Sequence, residues 1–325
     1  MFRRLLVAAV LFAGTACGST PAEPAAPSEA APITLGFSAW PGWFPWQVAE
    51  EQGLFEKNGV KVELKYFDSY TDSLNALATG TIDANSQTLN DTLASVAGGA
   101  QQSIVLVNDN STGNDQIIAG PDIKTTADLR GKTVAAEQGT VDHYLLLLAL
   151  EKAGLTEADV KFTPMLTDAA AAAFVAGQVD AVGAFAPFTS TALEREGSTA
   201  IATSADFPGA IPDHLVVTRD LVSKNEKAVQ GLVDTWFDTI EWIGANRAAA
   251  VEIMAKRGGV TAEEYETYDK GTSIFTLDQN RAAFNGELGK QAELISKFLV
   301  STKLVDAAPP LDGLFVSKFV EAVQP

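Results

Sequence analysis

A short phrase that occurs twice constrains this chain more than any other feature. Gly80-Thr81-Ile82-Asp83-Ala84 and Gly177-Gln178-Val179-Asp180-Ala181 begin 97 residues apart. A helical stretch runs into each glycine: Asp72–Thr79 in the first copy, and an alanine-rich stretch capped by Thr167-Asp168 in the second. The chain then turns directly into a short apolar strand. Further strands are predicted at Ile33–Phe37, Val60–Phe67, Ser103–Asn108, Thr133–Ala135, Ala181–Ala184 and Leu215–Thr218. Helices are predicted over Trp46–Asn58, ended by Gly59, and over Tyr144–Lys152. Strands alternating with helices imply sheets covered on both faces, and two copies of the phrase imply two such sheets. The expected class is α/β, with two lobes, each a mixed sheet flanked by helices, joined by two crossover segments. The first lobe is expected to take residues 33–118 and 214–325, and the second residues 119–213. Two crossovers between two lobes make a hinge and a cleft.

Charge and motifs narrow the function. The chain has 325 residues, with 41 Asp and Glu against 23 Lys and Arg, a formal charge of -18 and no basic block. Such a surface repels phosphate backbones, which argues against nucleic-acid binding. One cysteine allows no internal disulfide, and with only His143 and His214 beside it the chain cannot build a zinc site from His and Cys alone. No phosphate-binding loop, dinucleotide fingerprint, nucleophile elbow, HExxH or calcium loop occurs. No catalytic residue, metal ligand or cofactor is assigned, and the chain is expected not to be an enzyme.

The N-terminus carries an address. Arg3 and Arg4 precede the apolar run Leu5 to Ala13, which is too short to span a bilayer and fits a secretory signal over residues 1–16. Gly14-Thr15-Ala16-Cys17 resembles a bacterial lipobox, with Gly14 where a Leu-like residue is usual. Cys17 is then the expected lipid anchor. Residues 17–32, rich in Pro and Ala and without a large apolar side chain, form a tether.

Ligands of open α/β sheets sit beyond the carboxyl ends of the strands, near helix starts, and those positions supply the candidate site. After the first strand come Ser38, Trp40 and Trp43, in a segment holding three of the five tryptophans; Trp46 reads as core. Asp68 and Ser69, in Asp68-Ser69-Tyr70, follow the second strand. Ser86, Thr88 and Asn90 open a helix that runs to about Val96, and Gly139, Thr140 and His143 open another. Both are donor-rich starts suited to an oxyanion, or to plain capping. Asp115, in Asn114-Asp115, lies just before the first crossing, where an acid favours a cationic amine or a ring N–H, or serves as a hinge salt bridge or turn cap. Phe185 and Pro187 follow the second copy of the phrase and supply an apolar wall. Trp236, Phe237, Ile240 and Ile243 have helical spacing and read as core, while Glu263 and Glu264 read as a solvated face.

Taken together, a lipidated leader, a tether, Trp40-Pro41-Gly42-Trp43, Gly53-Leu54-Phe55, Gly59-Val60 and Leu77-Ala78-Thr79-Gly80-Thr81-Ile82-Asp83-Ala84 resemble one family. It is the nitrate/sulfonate/taurine-type substrate-binding proteins of ABC importers, which includes receptors for pyrimidine precursors of thiamine. Ala127-Asp128-Leu129-Arg130-Gly131-Lys132-Thr133-Val134 and Gly177–Ala181 add to the match, which covers about residues 33–300. The resemblance implies a type II periplasmic-binding-protein fold, an extracytoplasmic monomer held at the membrane only by its lipid, and delivery of a small solute to a permease with a separate ATPase. It also implies that Ser86, Thr88, Gly139 and Thr140 hold sulfonate or nitrate oxygens. The cleft segments contain Asp68, Asp91, Asp115 and Asp142 but no Arg or Lys. That favours an amine-bearing zwitterion such as taurine, or a nitrogen heterocycle, over nitrate or bicarbonate. A solute-sensing subunit and a related pyrimidine-synthesising enzyme are the other classes compatible with such a fold; the secretory leader argues against the enzyme.

Overall fold

The computed structural model describes residues 31–324. The expected leader, Cys17 and most of the tether lie outside the described residues. In chain order the strands are β1 (Ile33–Phe37), β2 (Val62–Tyr66), β3 (Ala84–Thr88), β4 (Gln102–Ser111), β5 (Asp115–Ala119), β6 (Thr133–Ala136), β7 (Lys161–Pro164), β8 (Ala181–Phe185), β9 (Thr199–Thr203), β10 (Pro212–Thr218) and β11 (Thr272–Ile274). They form a sheet of order β11-β4-β10-β3-β1-β2 and a second of order β7-β6-β8-β5-β9. Both are mixed. β1, β2 and β3 pair in parallel, as do β6, β7 and β8, while β10 and β5 run antiparallel to their neighbours. The chain therefore crosses between Ser111 and Asp115 and returns between Thr203 and Pro212. Residues 115–118, expected in the first lobe, pair instead with β8 and β9 of the second sheet.

The repeated phrase has the same task in both lobes. Gly80 and Gly177 end their helices with φ of 70° and 71°, a left-handed conformation that costs glycine nothing. Asp83 Oδ2 then accepts from the Thr34 amide at 3.0 Å, and Asp180 Oδ2 from the Thr133 amide at 2.8 Å. Each carboxylate thereby pins its strand to the start of the neighbouring parallel one. The carbonyls of the same two residues accept from Thr218 and Gly120, at the ends of the two strands that enter after a crossing. The phrase thus joins the helix, the parallel strand and the crossover strand of each lobe.

Helices cover the sheets: α1 (Pro45–Glu51), α2 (Leu54–Lys57), α3 (Tyr70–Ala78), α4 (Leu89–Ala97), α5 (Val141–Lys152), α6 (Thr167–Val175), α7 (Phe188–Leu193), α8 (Arg219–Lys224) and α9 (Glu226–Ala245), followed by shorter helices and Leu288–Ser301. The single helix expected over 46–58 is two, because Gly53 adopts φ 65° and breaks it. Thr167 begins α6 but does not cap it; its side chain turns to two buried acids instead. Trp46 and Trp236 are fully buried with ring centroids 4.8 Å apart, packing α1 against α9. Glu264 completes a capping box with Thr261 on the surface.

Candidate functional site

At the carboxyl ends of β1, β3 and β8, beside both crossings, the two lobes form a narrow, partly open cavity. Its walls are Trp40, Trp43, Tyr70, Thr88, Asp115, Val141, Phe185, Ile211 and Asp213. Four aromatic rings close a circuit. Trp40 and Trp43 lie 6.4 Å apart between centroids, Trp43 and Tyr70 5.4 Å, Tyr70 and Phe185 6.1 Å, and Phe185 and Trp40 6.5 Å. Three of the rings come from the first lobe and Phe185 from the second. Gly42 is what lets the Trp-Pro-Gly-Trp turn press inward, since a Cβ there would collide with the Asp109 carboxylate. Trp40 Nε1 donates to Asp109 Oδ1 at 3.0 Å.

Acids surround this cage. Asp213 stands opposite Asp109 in the β10–β4 ladder, and Asp115 is at the first residue of β5. Burial pushes Asp109 and Asp115 up to about 7. Asp213 is raised further from the ordinary carboxylate range, first by burial and then by the nearby charges of Asp109 and Asp115. Neither oxygen of Asp213 accepts a hydrogen bond, nor does Asp115 Oδ2. No Lys or Arg lines the cavity.

The donors at the two helix starts are already used. The Thr88 hydroxyl donates to Asp91 Oδ2 at 2.8 Å, and the Thr88 amide to the Tyr70 hydroxyl at 3.0 Å. Ser86 Oγ accepts from Trp46 Nε1 at 2.8 Å and donates to Asn108 at 3.3 Å, inside the first lobe. At the start of α5 the Gly139 amide donates to His143 Nδ1 and the Thr140 hydroxyl to the Glu137 carbonyl. The Val141 amide faces the Asp91 carboxylate, so an acid of the first lobe caps a helix of the second. Burial nonetheless raises Asp91 to about 7.

A second cavity opens beside the first and shares Tyr70 and Phe185 with it; Ser38, Asp68, Ser69, Glu137, Thr167 and Phe188 are among its walls. Here Glu137 ties the lobes together. Its Oε1 accepts from the Thr71 amide and hydroxyl of α3, and its Oε2 from the Thr167 amide at 3.2 Å and hydroxyl at 2.7 Å. Thr167 Oγ1 also lies 2.6 Å from Asp142 Oδ2. A hydroxyl has one proton, so two carboxylates can share this oxygen only if one is itself protonated. Asp142, raised by burial, is that acid.

The structure therefore brings Trp40, Trp43, Thr88, Asp115 and Phe185 together around the cage, with Ser38, Asp68 and Ser69 in the adjoining space. Ser86, Asn90, Gly139, Thr140, His143 and Pro187 line neither cavity. His143 stacks on Phe162 at 4.3 Å and bonds Glu157 at 2.6 Å, and burial lowers its pKa. Asn90 bonds the neighbouring Asp91, and Pro187, after a cis peptide bond, leads into α7. Sequence reasoning missed Val141, Ile211 and Asp213. An acid just before an apolar strand at the return crossing was the available signal for Asp213.

Comparison with known proteins fits this geometry. The model of the NMT1-like family matches residues 26–257, well over half of the chain. The chain belongs to the NMT1-like family. The taurine-binding periplasmic protein of Escherichia coli (strain K12) is 26% identical over 289 residues, which is 85% of this chain and 89% of the relative. Among solved structures, the alkanesulfonate-binding protein SsuA from Xanthomonas axonopodis pv. citri, bound to MOPS, superposes with TM-score 0.75 at 21% identity, over 89% of this chain and all of that one. The desulfurization enzyme DSZB shares the fold at TM-score 0.64 and 18% identity, covering 89% of this chain and 98% of its own. The fold is thus the two-lobed one of periplasmic binding proteins.

Proposed function

We propose that this protein is an extracytoplasmic solute receptor of an ABC importer, anchored through a lipid on Cys17, which captures a small solute between its lobes and delivers it to a permease with a separate ATPase. The observation that carries this reading is the cage itself: its aromatic circuit is complete only when Phe185 of the second lobe meets Trp40 and Tyr70 of the first. A solute touching all four rings stabilises the closed arrangement and not an open one, which is how binding becomes closure. The relatives that bind taurine and alkanesulfonates support the receptor class. The protein acts as a binder and not as an enzyme, although DSZB shares the fold. Its solute is small and bears nitrogen, a taurine-like zwitterion or an amine or heterocycle, in preference to nitrate or bicarbonate.

A thermal-shift screen tests this with three sets: taurine and alkanesulfonates, nitrate and bicarbonate, and amines with aminopyrimidines. A solute at 100 times its dissociation constant adds about 2.7 kcal/mol of stability, a shift of a few degrees at this size. A shift from one set supports the receptor reading and names the class. No shift from any set contradicts it.

A further inference from the structure

The receptor reading leaves the charge of the solute open. Resting on that reading, we propose that the cavity takes a compact cation with N–H donors, a primary alkylammonium, held by Asp115 and Asp213 within the ring of Trp40, Trp43, Tyr70 and Phe185, and that it recognises no anionic group.

Three observations converge. The first is the balance of unsatisfied groups. Asp115 Oδ2 and the Asp213 oxygen that does not face Asp109 are buried without a partner, and leaving such acceptors unpaired is costly. The one unpartnered donor among the cage rings is Trp43 Nε1. Two buried carboxyls against one neutral N–H suit an ammonium better than the three oxygens of a sulfonate. The second is the fate of the anion cradle. The amide or hydroxyl donors of Ser86, Thr88, Gly139 and Thr140 named above bond to other groups of the protein. The Asp91 carboxylate sits where an incoming anion would meet the start of α5. No Lys or Arg lines either cavity to offset an added negative charge.

The third is the shape of the aromatic wall. Adjacent rings of the circuit meet at 57°, 43°, 81° and 77°. No adjacent pair is parallel, so no slot exists between neighbours for a flat heterocycle to be sandwiched in. Rings inclined around a point suit a compact cation, which is attracted to aromatic faces by their quadrupole. The chain's own means of satisfying the Asp109–Asp213 pair is a proton shared between them; an ammonium placed at Asp213 would take over that role.

The test is isothermal titration calorimetry at pH 8 and matched ionic strength with three two-carbon probes: ethylammonium, ethanesulfonate and taurine. Ethylammonium is expected to bind, ethanesulfonate to give no heat of binding, and taurine to bind about tenfold or more weakly than ethylammonium. Asp213→Asn and Asp115→Asn each take away one carboxyl that the bound ammonium would meet, and each is expected to weaken ethylammonium about tenfold or more. Asp122→Asn, the same substitution at an exposed turn, should leave affinity within about twofold. Taurine or ethanesulfonate binding as tightly as ethylammonium would overturn the cation inference and leave the receptor reading standing. So would ethylammonium affinity that is unchanged in both cavity variants. No binding of ethylammonium overturns the inference as well, and the receptor reading falls with it only if the wider thermal-shift screen is also blank.

Discussion

Asp213 lies directly across the β10–β4 ladder from Asp109, so two buried carboxyls share one rung. Burial raises both above the ordinary carboxylate range, Asp109 to about 7, and the neighbouring charge of Asp109 raises Asp213 further. A raised pKa in the folded state means that folding takes up protons. The resulting stability is complete below the unfolded pKa near 3.8 and is lost as pH rises through about 7. Asp91 and Asp115, also raised to about 7, act in the same direction. Asp128, Asp159 and Glu264 are lowered by hydrogen bonds from Thr125, Thr156 and Thr261, and act in the opposite direction only below the usual carboxylate range.

Buried His143 and His214, held below the usual imidazole value, oppose this between pH 5 and 6.5, but the raised carboxyls outnumber them, so the melting temperature of the solute-free protein should fall between pH 5 and pH 8. Asp213→Asn should reduce that fall. A melting temperature that rises over the interval would contradict the placement of these acids.

Trp40 is both a cage wall and the donor to Asp109. Trp40→Phe keeps most of the ring but removes the N–H, leaving a buried carboxylate oxygen unpaired at pH 8. Urea denaturation should show a loss of about 1–3 kcal/mol. Gly42→Ala, which drives a methyl into the same carboxylate, should destabilise as well. A neutral result for both would mean that Asp109 does not depend on this turn.

Glu137 and Thr71 bridge the lobes. Thr71→Ala removes the hydroxyl donor without disturbing either sheet, and should weaken whichever solute the screen identifies by about tenfold. Calorimetry of the variant reads this directly. Unchanged affinity would place the bridge outside the closing step.

Cys17 is the proposed anchor. Cys17→Ser should move the protein from the membrane fraction to the soluble extracytoplasmic fraction, read by immunoblot of fractionated cells. Retention in the membrane fraction would contradict lipid anchoring.

Much of the fold was legible because its governing residues are local. Gly80 and Gly177 end helices wherever they stand, and the Asp that follows each is bonded to the strand beside it. The point of crossing was less legible. Asp115–Ala119 is an ordinary apolar strand, and which sheet it joins is decided by long-range pairing with β8 and β9. The cage was half legible: Trp40 and Trp43 announced themselves by number and turn chemistry, while Ile211 and Asp213 reach the cavity only through the return crossing. The helix starts were less legible, for a physical reason. Ser86, Thr88, Gly139 and Thr140 have the right chemistry for an anion, but sequence does not show that Trp46, Asn108, Tyr70, Asp91, Glu137 and His143 engage the same groups first.

Closure on a solute can be read by small-angle X-ray scattering with and without the solute that raises the melting temperature. A saturating solute should give a smaller radius of gyration, because it holds Phe185 against Trp40 and Tyr70 and depletes any open form. A radius of gyration unchanged by a solute shown to bind would contradict capture by closure.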